Sequence, residues 1–252
     1  MQTFYQYLKK IFIFALFLHT LKANAYMKKI LLFASIVALL ASCSPKPKFE
    51  LEVNIHNNNM LMNKKFVVNQ KIDGSVVYSD TIKIKKDNFV LEIPYKGPAL
   101  INISIPGANI DDIMLAAEEG KIQLDIEGVK PHFGGTPLND RLQAFYQEND
   151  SVSLLFQQLE KETSDYQLQN KSISLTPRAK EEFQKKNEEF RQRRSQLLKE
   201  NTDRIIAFIK ENVDNPIGEY YFMTNYITFP VDRKLELNSF ATEKLKKEFG
   251  IQ

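Results

Sequence analysis

From Phe49 the chain alternates with a period of two. Phe49, Leu51, Val53 and Ile55 are apolar, and Glu50, Glu52, Asn54 and His56 stand between or after them. That is the pattern of a strand with one face buried. Apolar-rich runs at 66–72, 76–84, 89–93, 99–105, 113–117 and 122–126 continue it. In the last of these Ile122, Leu124 and Ile126 share one side, opposite Gln123, Asp125 and Glu127. Asp73-Gly74 is a hairpin signal and Glu119-Gly120 a second. About seven short strands joined by turns predict an antiparallel sheet folded into a sandwich or partial barrel.

The period then changes. Leu138, Leu142, Phe145, Val152, Leu155 and Leu159 recur at helical spacing. Thr136-Pro137 and Thr176-Pro177 each place a capping residue before a proline at the first helical position. From 177 to about 212 the chain is highly charged, with Phe183, Phe190 and Leu197 seven apart and Ile205, Phe208 and Ile209 beyond. This predicts a long helix pairing with the preceding one along a narrow seam. Asn215-Pro216 opens a third helix rich in aromatics (Tyr220, Tyr221, Phe222, Tyr226), Phe229-Pro230 breaks it, and an amphipathic stretch runs on to Phe249. The expected class is α+β: an antiparallel β-sandwich-like domain over 49–135, then a helical region over 136–252 with a long helical hairpin. The short junction around 134–137 implies that the two pack together.

Upstream, the text from Met27 is MKKILLFASIVALLASCSPKPK. Lys28 and Lys29 form a basic start, residues 30–40 an apolar segment, and Leu40-Ala41-Ser42-Cys43 follows. This is the layout of a secretory signal peptide, and its end resembles the lipobox of bacterial lipoproteins. Cleavage is expected between Ser42 and Cys43, with the Cys43 thiol accepting diacylglycerol. Residues 27–42 are thus read as a lipoprotein signal peptide and 43–48 as a stiff tether. Residues 1–26 carry another apolar run, 11–21, and the cleavage-like Ala23-Asn24-Ala25. Two export signals in tandem make little physical sense, so translation is expected to start at Met27 rather than Met1, with 1–26 an extension of the gene model. As a transmembrane hairpin, spans of about 11 residues fall short of the roughly 20 required.

Charge changes the picture once that leader is set aside. The net charge of +3 includes five lysines among the first 43 residues, which hold no acid. The remainder has 29 basic and 31 acidic residues, which argues against nucleic acid as a partner. A single cysteine excludes an internal disulfide, a CxxC pair and a thiolate zinc site. Apart from His19 in the leader, the histidines are His56, on the polar side of the first strand, and His132, beside Pro131 near a Gly-Gly turn; both read as surface residues. Asp111-Asp112 and Glu118-Glu119 are adjacent acids, and neighbours in a strand point to opposite faces, so they read as turn and solvent residues. Gly134-Gly135-Thr136 reads as a hinge between domains, with anion binding at the helix start as the alternative. Arg191-Gln192-Arg193-Arg194 reads as a solvated helix face with i,i+4 pairs. The Tyr220–Tyr226 cluster reads as core, with a ligand shelf as the alternative. No catalytic set, metal site or cofactor motif is apparent.

Three stretches, KIDGSVVYSDTIKIKKDNFVLEIPYKGPALINISI, MLAAEEGKIQLDIEG and FGGTPLNDRLQAFYQ, resemble the domain of unknown function 4369 of Bacteroidetes lipoproteins. The matching features are Asp80-Thr81 before a charged turn, Phe89 after it, Glu119-Gly120, and a Gly-x-x-x-Asn element from Gly135 to Asn139. The resemblance covers roughly 49–150 and implies a β-rich domain behind a lipobox. Members commonly continue through a helical region, similar to FIKENVDNPIGEYYF here, into a thioredoxin-fold domain of thiol–disulfide oxidoreductases. This chain has no CxxC, so no catalytic residue carries over. The expectation is a non-enzymatic, lipid-anchored cell-envelope protein that binds an envelope protein or small ligand, without a cofactor. The alternative is an accessory or truncated oxidoreductase lacking its thioredoxin domain. No acidic run follows Cys43, which favours the periplasmic face of the outer membrane.

Overall fold

The computed structural model describes residues 48–57, 59–171 and 176–251. The leader, Ser42 and Cys43 lie outside these residues. Eight strands come first: β1 (Lys48–His56), β2 (Lys65–Ile72), β3 (Ser75–Lys83), β4 (Asn88–Pro94), β5 (Ala99–Ser104), β6 (Ile113–Ala117), β7 (Gly120–Glu127) and β8 (Lys130–Gly134). They form two four-stranded sheets, in the orders β4-β1-β7-β8 and β3-β2-β5-β6. The period-two alternation puts Phe49, Leu51, Val53, Ile122 and Leu124 of the first sheet and Phe66, Val68, Ile101, Ile103 and Leu115 of the second into one buried cluster.

Asp73 and Gly74 both take positive φ, +49° and +75°, and turn β2 into β3. Glu119-Gly120 does not make a hairpin. β6 and β7 belong to different sheets, so this turn carries the chain across the sandwich. Because β6 ends where β1 begins, β7 starts at that same end and pairs with β1 in parallel, Phe49 opposite Gly120 and Ile55 opposite Ile126. The sandwich is therefore antiparallel except for this one ladder. β8 is an additional strand, and it places His132 on a strand instead of at a turn.

Five helices follow: α1 (Pro137–Asn170), α2 (Pro177–Asn212), α3 (Pro216–Thr228), α4 (Val231–Asn238) and α5 (Glu243–Phe249). The final amphipathic stretch is thus two short helices. At 1.5 Å per residue α1 and α2 are about 51 and 54 Å long. They run antiparallel, joined across the seam by Glu148–Arg204, Glu160–Arg194 and Glu162–Arg193. Phe190 and Leu159 are buried in this seam, and Tyr166 stacks on Phe183. At the base of the hairpin Phe145 stacks on Phe208 with centroids 3.8 Å apart, and the edge of Tyr221 meets both rings. Leu142, Phe145, Phe208 and Ile217 belong to the same buried cluster as the strands, so the β and helical regions share a core. A smaller cluster of Ile206, Ile209, Phe222, Leu237 and Leu245 holds α2 to α5 together.

Candidate binding cleft

The junction between the two regions fixes the site. β6 is an edge strand, and an edge leaves backbone groups without partners. Asn139, in the first turn of α1 and fully buried, supplies them. Its Oδ1 accepts from the Ala116 amide at 2.9 Å, and its Nδ2 donates to the Ala116 carbonyl at 3.0 Å and to Thr136 Oγ1 at 2.8 Å. The next turn reaches the other sheet, where Gln143 Oε1 accepts from the amide of Phe133 in β8 at 2.9 Å. Asp140 accepts from Gly135 N at 2.8 Å. Gly135 has φ +92°, and a Cβ there would stand 2.5 Å from the Lys121 carbonyl, so glycine is required on both counts. The segment expected to be a hinge is a clamp on both sheets.

Thr136 does not cap α1 with its side chain. Glu118 does so from β6's end, accepting from Leu138 N at 2.9 Å, where a carboxylate also suits the helix dipole. The anion at this helix start is therefore the protein's own. Of the two acid pairs, Glu118 is a structural cap and not a solvent residue.

Held this way, α3 and α5 lie over the outward face of β2, β5 and β6 and leave a cleft of about 1020 Å³. Its floor is made by Lys71, Leu100, Asn102 and Met114, the residues that alternate with buried Gln70, Ile101 and Leu115. Tyr220, Tyr221, Met223 and Thr224 of α3 form one wall, and Lys244 and Glu248 of α5 another. Lys244 Nζ lies 2.6 Å from both Asp73 and Glu219, tying the β2–β3 turn to α3. Partial burial works against the Lys244 charge, but its hydrogen bonds to Asp73 and Glu219, with their charges, outweigh this and raise the amine above its ordinary value. Burial, followed by the neighbouring Tyr146 phenol, pushes Tyr221 far above the usual phenol range. Tyr221 is thus a neutral hydrogen-bonding group at any physiological pH. Five carboxylates line the cleft (Asp73, Asp112, Asp214, Glu219, Glu248) against the two amines Lys71 and Lys244.

Residues 49–142 match the family model of a domain of unknown function, DUF4369. The match runs from β1 through all eight strands and closes on Leu142, within the α1 turn that clamps them. Residues 27–44 match the prokaryotic membrane lipoprotein lipid attachment site, which supports a lipid-anchored protein of the cell envelope. No curated protein and no solved structure matches the chain.

The fold brings few of the chemically suggestive residues together. His56 is exposed and 3.3 Å from Asp125, while His132 lies 3.5 Å from Gln143 at another strand. Asp111 is exposed, and Asp112 accepts from Asn102 at 3.3 Å on the cleft floor. Among the described residues no group of three His, Cys, Asp or Glu is placed to hold a metal, and no helix is long and apolar enough to cross a membrane. The arginine run pairs mainly across the hairpin, Arg193 to Glu162 and Arg194 to Glu160, with Arg191 to Glu188 within α2. The aromatic cluster is split by the fold. Phe222 is core with Tyr226 stacked on it, whereas Tyr220 and Tyr221 face the cleft. The floor residues carried no signal in the sequence.

Proposed function

We propose that the protein is a non-catalytic binding module, anchored through a lipid on Cys43 and holding its ligand in the cleft between the outward sheet face and α3. The observation that carries this reading is the cleft itself. It is a space of about 1020 Å³, in the size range of small-molecule sites, and both regions build its walls. Its apolar surfaces (Leu100, Met114, Met223 and the Tyr220 ring) sit beside an excess of carboxylates, which suits a ligand with an apolar body and a positive charge. The lipid attachment site supports a place in the envelope, and a body without an acidic run after Cys43 fits the periplasmic face of the outer membrane.

Native mass spectrometry of the lipidated protein, extracted in mild detergent, tests the reading. The wild type is expected to carry a bound mass beyond its lipid, and the double variant Tyr220→Ala, Met223→Ala to lose it while keeping its fold by circular dichroism. A wild type without bound mass, or one whose bound mass survives the double variant, contradicts the proposal.

A further inference from the structure

We propose that the ligand of the cleft is a short peptide with free ends, its carboxylate held by Lys71 and its ammonium by Asp112. This deepens the binding reading above and rests on it. Of the two amines in the cleft, Lys244 is already paired with Asp73 and Glu219. Lys71 is exposed and, among the described residues, has neither an ion pair nor a hydrogen bond. It is an uncommitted cation within an acidic lining, so a ligand with a positive charge alone leaves it unanswered. Asp112 is exposed as well. It accepts from a neutral amide, Asn102 Nδ2 at 3.3 Å, so its charge is also uncommitted. Asp214 and Glu248 belong to the helical side of the cleft, whereas Lys71 and Asp112 belong to the floor that the sheet fixes.

The separation of the two charges sets the length of the ligand. Lys71 of β2 stands opposite Leu100 of β5, and Asn102 of β5 opposite Met114 of β6, the strand that Asp112 precedes. Lys71 and Asp112 are therefore on either side of β5, two inter-strand spacings or about 10 Å apart across the sheet. Their offset along β5, from the Leu100 pair to beyond the Asn102 pair, adds to this. An extended chain of about three or four residues spans such a distance. Leu100 and Met114 lie between the charges, with Met223 and the Tyr220 ring on the α3 wall beside them, surfaces for apolar side chains. Asn102 donates to Asp112 through Nδ2 and keeps its Oδ1 for a peptide amide. A charge at each end of an apolar floor selects against a simple amine or a fatty acid, since each leaves one charge unpaired.

Isothermal titration calorimetry of the lipidated full chain in nanodiscs tests this with trileucine, its C-terminal amide and its N-acetyl derivative. Each capped form is expected to bind about tenfold more weakly than the free peptide, the effect of losing one charge-assisted contact. Lys71→Gln is expected to remove the difference between acid and amide while leaving the acetyl penalty, and Asp112→Asn to do the reverse. Both positions are exposed, so the variants are expected to keep the fold, which circular dichroism checks. Equal affinity of all the probes, or differences that survive both variants, overturns the inference, as does a wild type that binds none of them. The bound mass sought by native mass spectrometry reports on the cleft independently. A mass that is lost in the Tyr220→Ala, Met223→Ala variant, alongside peptides that do not bind, contradicts the peptide inference and leaves the cleft reading standing.

Discussion

Asn139 joins the edge of one sheet to the start of α1. Its amide replaces the missing neighbour strand for Ala116, and both groups are buried. Asn139→Ala strands the amide and the carbonyl of Ala116, and an unsatisfied buried group costs on the order of 1–3 kcal/mol. The variant is expected to lose about 2–4 kcal/mol of stability in urea unfolding, and Asn139→Asp, which keeps only an acceptor, to rescue little of it. Unchanged stability in both would mean that the clamp is incidental. Gly218, in the first turn of α3, shows the same closeness, since a Cβ there would fall 1.9 Å from the Asn212 carbonyl. Neither role was legible from composition or periodicity, because a buried Asn at a helix start looks like any polar helix residue. Only the Gly135-to-Asn139 spacing pointed to it, and there as a hinge.

At the scale of elements, charge pairs supplement the narrow apolar seam of the α1–α2 hairpin. The Arg193 hydrogen bond holds the Glu162 carboxyl below its ordinary value, and the Lys186 hydrogen bond does the same for Glu189. A carboxyl with a depressed folded-state pKa stabilises above its ordinary value, 4.5 here, and that support is lost as pH falls through the folded value. Hairpin helicity followed by circular dichroism is therefore expected to hold from neutral pH down to that range and to fall below it. Glu162→Gln should show a smaller acid-induced fall, and an identical profile would remove Glu162 from the account. Most elements were legible in the sequence. Alternation located seven strands, and proline after threonine or asparagine marked the starts of α1, α2 and α3. β8 was missed because KPHFG is short, contains a proline and lies between glycines. The parallel β1–β7 ladder was invisible, since alternation reads the same for either direction of pairing. The cleft floor was equally hidden, because Lys71, Leu100, Asn102 and Met114 come from three strands that only the topology makes neighbours.

Across the whole molecule, a sandwich clamped by the start of α1 carries helices over one of its outward faces, and a lipid attachment site precedes both in the chain. Sheet and helices share a buried core, and the cleft lies between them. The proposed location of the cleft in the envelope depends on Cys43. The most direct measurement is incorporation of radiolabelled palmitate in growing cells, combined with the intact mass of the mature protein. The account predicts label on the wild type, a mature chain beginning at Cys43 with a diacylglycerol mass added, and an unlabelled, uncleaved precursor for Cys43→Ala. Label that survives Cys43→Ala, or a mature chain that begins at Tyr26, would contradict it.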